Sequence, residues 1–151
     1  MTEETVGKPE ATHDLVATDL VWKTLRIVFG VVPIVAGLDK FTNLLTDWTH
    51  YLAPAFARMI PFSPHTFMLI VGVIEIVAGI GVLFTPWTRV FAWIVGLWLI
   101  CISLNLIAAG FFDIAVRDLV MSITSFCLAR LTAADRVAAR RGTMVEARTA
   151  P

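Results

Sequence analysis

Cysteine is almost missing from this chain: the 151 residues hold two, Cys101 and Cys127, and no CxxC pair. A quinone-linked disulfide-forming enzyme is thereby disfavoured, because it needs a thiol pair to exchange electrons with a partner. Histidine is scarce as well, with His13, His50 and His65 the full set. Charge is thin: 16% of residues are Asp, Glu, Lys or Arg, against about a quarter in an ordinary soluble domain. Twelve bases cancel twelve acids, so no overall field argues for nucleic acid or a strongly charged partner. The first twenty residues carry five acids, one lysine and no apolar run. They lack the pattern of a cleavable signal, so insertion through the first helix is expected.

Apolar residues make up 58% of the chain, and four segments read as membrane spans: Val21–Leu38, Thr66–Phe84, Val90–Ala109 and Ile114–Leu131. Each is near the ~20 residues that cross a bilayer core as a helix. The expected fold is an all-α bundle of four transmembrane helices. It divides the chain into a cytoplasmic tail (1–20), a transmembrane domain (21–131) and an arginine-rich cytoplasmic tail (132–151). A long outer loop, with Trp48, Tyr51 and several prolines, joins the first two spans and suits a partly helical lid at the interface. Lys8, Lys23, Arg26, Arg89, Arg130, Arg136, Arg140, Arg141 and Arg148 fall on one side, and Lys40, Arg58 and Arg117 on the other. Since cations are retained inside, both termini are expected in the cytoplasm and the protein in the plasma membrane. None of the histidines lies inside a span, which leaves haem without axial ligands. The two cysteines sit at depths roughly 7–8 Å apart by the helical rise, too far for a disulfide.

Ionisable groups inside spans are costly and normally face the protein. Glu75 is the one acid near mid-bilayer, and Gly72 and Gly79 share its helical face. Small residues mark a face where another helix packs closely. On span one, Arg26, Gly30, Pro33, Gly37 and Lys40 recur at four, three, four and three residues, one stripe at helical period. Aligning the outer ends of the two spans sets Gly30 level with Glu75 and Arg26 a turn deeper, which predicts an Arg26–Glu75 ion pair across a glycine seam. Such a pair either handles protons or only fixes helix register; Arg26 can also snorkel to the headgroups. A second cluster gathers near the outer surface: Asp39, Lys40, Asn105, Arg117 and Asp118. Continued downward by Ser122, Ser125 and Ala129 on span four and Cys101 on span three, it is read as the lining of a cavity descending to Glu75. Charges that merely anchor span ends are the alternative.

LRIVFGVVPIVAGLDKF, then IEIVAGIGVLFTPWTRVFAWIVGLWLI, then VRDLVMSITSFCLARL together resemble the DoxX family. The features that carry the likeness are Arg26 followed by Gly30, Gly37 and Lys40, Glu75 followed by a glycine-containing run and Arg89, and the Arg117-Asp118 pair. The family takes its name from a subunit of an archaeal quinone-linked thiosulfate-oxidising system, and actinobacterial relatives are associated with thiol and superoxide defence. The resemblance implies a small subunit or partner of a membrane oxidoreductase. A quinone is the candidate cofactor, none being intrinsic, and no metal is expected. Arg117 and Asn105 would hydrogen-bond its headgroup, and Glu75 would handle the proton. The lipid bilayer, protein partners and self-association are the expected company. A scaffold docking partner proteins and a small-solute carrier stay open as other classes.

Overall fold

The structure, a computed structural model, describes the backbone of residues 7–149 and the side chains of residues 16–134. Side chains in most of both expected tails therefore lie outside the described residues. Every described element is helical: α1 (Gly7–Thr42), a 3₁₀ turn (Trp48–Tyr51), a short α2 (Pro54–Ala57), α3 (Pro64–Phe84), α4 (Thr88–Ala109) and α5 (Phe112–Thr149). The helix ends follow local chemistry. Asn43 closes α1 in the left-handed region (φ 50°), where Asn is tolerated. Ser63 Oγ accepts from Thr66 N at 3.1 Å and Pro64 opens α3, the usual pairing of cap and first-turn proline. Gly110, with φ 89°, ends α4, and Phe111 N donates back to Leu106 O at 2.9 Å, which satisfies a carbonyl that would otherwise be orphaned.

Two antiparallel pairs build the bundle, α1 with α3 and α4 with α5; α3 against α4 and α1 against α5 close it. Glycine seals the first pair. A Cβ on Gly37 would lie 2.5 Å from the Gly72 carbonyl oxygen, one on Gly72 would lie 2.7 Å from that of Gly37, and one on Gly79 would run into that of Gly30. The expected seam is therefore present, with Gly30 opposite Gly79 and Gly37 opposite Gly72. Serine seals the second pair: Ser103 Oγ donates to Ala115 O (3.1 Å), Ser122 Oγ to Gly96 O (2.9 Å) and Ser125 Oγ to Ala92 O (2.8 Å). Between the pairs lies an apolar core of Phe29, Ala78, Val82, Ala92, Val95, Leu128 and Ala129. Trp22 Nε1 donates to Thr132 Oγ1 at 2.8 Å, tying α1 to α5 at the end that holds the α3–α4 turn.

The surface inverts the pattern of a water-soluble bundle. Val28, Val31 and Val35 on α1, Val73, Val77 and Ile80 on α3, Val90, Ile94 and Leu97 on α4, and Val116, Val120 and Ile123 on α5 all face outward, while Lys40, Glu75, Asp118 and three serines are buried. So broad an exposed apolar belt needs lipid to cover it. Among the described residues, three helices are long and apolar enough to cross a membrane: Val16–Thr42, Pro64–Phe84 and Thr88–Ala109. The fourth expected span, in α5, is not among them; its apolar stretch contains Arg117, Asp118 and Arg130.

Candidate functional site

Lys40, not Arg26, pairs with Glu75. Lys40 Nζ lies 2.6 Å from Glu75 Oε2, with the two side chains 4% and 9% exposed. The expected Arg26–Glu75 pair fails for two reasons that both come from helix geometry. The glycine seam sets Gly30 opposite Gly79 rather than Glu75, a slip of one turn, which leaves Arg26 level with Leu83. Cα–Cβ bonds also tilt toward each helix's N-terminus. In antiparallel α1 and α3 that tilt carries Arg26 and Glu75 apart and Lys40 and Glu75 together. Arg26 instead caps the end of α3: its Nε donates to Val82 O (3.0 Å) and its Nη2 to Leu83 O (2.8 Å) and Thr85 O (3.3 Å). A cation there meets the carbonyls that a helix C-terminus leaves free.

Asp118 on α5 completes the charged group. It is buried, it interacts electrostatically with both Lys40 and Glu75, and it accepts from Arg117 Nε at 3.0 Å while Arg117 itself is 66% exposed. One buried lysine from α1 thus stands among buried carboxyls from α3 and α5. The indole of Trp48 covers it, with Lys40 Nζ 3.8 Å from the ring centroid, a cation–π contact strengthened by exclusion of water. Trp98 was missed by sequence reasoning. Its Nε1 is buried with no partner inside hydrogen-bonding distance, and the group that it acts on as a donor, from just beyond that distance, is the Glu75 carboxyl. Counting outward from the α3–α4 turn sets residue 98 level with residues 74–75, so a hairpin count could have found it.

Two members of the outer cluster hold the loop rather than line an open cavity. Asp39 accepts from Leu44 N (3.0 Å) and Leu45 N (3.1 Å) at Oδ1 and from Trp48 Nε1 (2.8 Å) at Oδ2. Asn105 Oδ1 accepts from Ala53 N (3.0 Å), and its Nδ2 donates to Tyr51 O (2.7 Å). His50, Tyr51 and Phe111 stack edge to face beside this join, with centroids 5.0 to 5.7 Å apart. Within the loop, the hydroxyl and backbone N–H of Thr49 hold the Asp47 carboxyl below the usual carboxylate range, so the 3₁₀ turn keeps its cap into acid. The stripe expected below Asp118 is also reassigned. Ser122, Ser125 and Ala129 are buried in helix contacts. Cys101 faces outward, and both cysteines are free thiols.

The geometry therefore brings together Lys40, Glu75 and Asp118, with Asp39 and Asn105 above them as loop fasteners and Arg117 at the rim. Arg26 belongs to the opposite end. The family model described as DoxX matches residues 21–108, more than half of the chain. The match ends before α5, so the Arg117-Asp118 motif lies outside it. No curated protein and no solved structure matches the chain. Helical throughout its described residues, with an outward apolar belt, a glycine seam and a buried ion pair, and matched through its first three long helices, the chain belongs to the DoxX family of membrane proteins.

Proposed function

We propose that the chain is a four-span plasma-membrane protein with both termini in the cytoplasm, acting as a small subunit or partner of a quinone-linked oxidoreductase in thiol or oxidative-stress chemistry. The observation that carries this reading is the lidded charge group: a buried Lys40–Glu75 pair with Asp118 within electrostatic reach, and the indole N–H of Trp98, which has no close partner, turned to Glu75. That donor has only a loose hold on Glu75, and a quinone carbonyl would give it a closer acceptor. The residues present fit such a headgroup: Trp98 Nε1–H and Lys40 Nζ would donate to it, and Glu75 would hold a proton beside it. A bound quinone supplies two-electron, two-proton redox chemistry. Trp48 excludes water from the same spot, and Arg117 at the rim extends the cationic edge. With no thiol pair on the chain, electrons would enter through a partner protein.

Purification in mild detergent followed by solvent extraction tests this. Wild type is expected to carry near-stoichiometric quinone. Trp98→Phe, which keeps the ring and removes the N–H, should lower that content roughly tenfold, as expected for about 1.5 kcal/mol from one lost hydrogen bond, with the melting temperature unchanged. Quinone-free wild type would sink the reading. It would favour the second one, a partner-docking scaffold, which draws on the loop being fastened at Asp39 and Asn105 with Leu44, Leu45 and Met59 turned outward.

Topology is tested apart from ligand. In a background without Cys101 and Cys127, a cysteine at His50 should react with an impermeant maleimide in intact cells. One at Thr149 should react only after lysis. Labelling of both in intact cells would overturn the arrangement.

A further inference from the structure

At the far end of the bundle from the charge group, Trp93 of α4 and Phe126 of α5 stack at 4.7 Å between centroids. Arg89 stands four residues before Trp93 and Arg130 four residues after Phe126. In an antiparallel pair those offsets place both arginines on the next turn of the same face. Both are exposed, and neither has an ion pair or hydrogen bond with any residue described. The first turn of α4 carries no acid. An open cleft of about 460 Å³ lies alongside, lined by Trp87, Arg89, Val90 and Trp93.

We propose that this cleft binds the phosphate of an anionic phospholipid headgroup. Two like charges on one face repel each other, and the protein supplies no counter-charge among the described residues. A planar guanidinium matches phosphate with two parallel hydrogen bonds. The walls decide the source of that phosphate. Trp87 and Trp93 are amphipathic rings of the kind that settle at headgroup level, and Val90 beside them is an exposed apolar side chain. A soluble phosphate would use the arginines and gain nothing from the indoles, whereas a phospholipid uses both.

The test is native mass spectrometry of detergent-purified protein titrated with phosphatidylglycerol or with phosphatidylcholine of the same acyl chains. Wild type should retain the anionic lipid preferentially. Arg89→Gln and Arg130→Gln should each reduce that preference about fivefold, and the double variant should abolish it. Arg58→Gln, an exposed cation in the outer loop, should leave it intact. The single variants keep the test valid if the double one fails to fold, and melting temperatures in detergent identify that case. Millimolar inorganic phosphate provides the second arm. Failure to displace the lipid supports a phospholipid site, and full displacement with retention of phosphate itself assigns the cleft to free phosphate and overturns the lipid. Equal retention of both lipids by wild type, or an unchanged preference in the double variant, means that the arginines serve orientation only and also overturns it.

Discussion

Lys40→Leu lowers the stability of the purified protein by about 3–5 kcal/mol, the usual cost of stranding one member of a buried ion pair. Glu75→Leu is harmful too, though less so, because it leaves Lys40 beneath the Trp48 ring with Asp118 as its remaining counter-charge. The double change recovers most of either loss, since two leucines leave no unpaired charge. Thermal or denaturant unfolding in detergent measures the cycle, and the coupling energy isolates the contact. The contrasting cycle is Arg26→Leu with Glu75→Leu, which should be additive: Arg26 bonds the end of α3 and does not touch Glu75. Coupling in the second cycle and not in the first would show that the ion pair has been placed on the wrong cation.

Gly79→Ala comes second in expected effect. The new Cβ meets the backbone oxygen of Gly30, which has no rotamer to yield, so α1 and α3 must part. Overpacking of this kind costs about 1–3 kcal/mol, and Gly79→Leu should prevent assembly altogether. Gly37→Ala should behave like Gly79→Ala because it meets the Gly72 carbonyl at 2.5 Å. Gly96→Ala provides the comparison: the atoms nearest its added carbon belong to the Phe126 side chain and not to backbone, so the loss should be smaller. Melting temperatures in one detergent rank the three. A Gly96 variant worse than the Gly79 variant would overturn the assignment of close backbone contact to α1 and α3.

The glycine seam was legible because small residues at helical spacing leave a period that survives in a single sequence. Its register was not. Matching the outer ends of Val21–Leu38 and Thr66–Phe84 assumes that the two helices end level, whereas α1 runs on to Thr42 and α3 starts at Pro64, and the register is set by where the glycines meet. The choice between Arg26 and Lys40 as partner of Glu75 also required the direction of side-chain tilt, which spacing alone does not carry. Ser122 and Ser125 illustrate a different limit. A polar stripe looks the same in sequence whether it faces a cavity or bonds a neighbour's carbonyls, and here it does the latter. Asp39 and Asn105 share a depth, which spacing along the helices can suggest. Their bonds run to loop backbone groups that no side-chain pattern records.

The two sealed pairs differ in what they permit. Glycine backbones in contact have no side chains to rearrange, so α1 and α3 are welded and move as one body. Serine hydroxyls instead hold α4 to α5 through three directional bonds from side chain to backbone, so that pair is fixed in register by bonds where the first is fixed by contact. Asp39 belongs to the welded half and Asn105 to the other, and both grip the same outer loop. The loop is therefore a strap from one pair to the other, and a pull on it acts first on the thinner packing between the pairs and only then on the glycine seam.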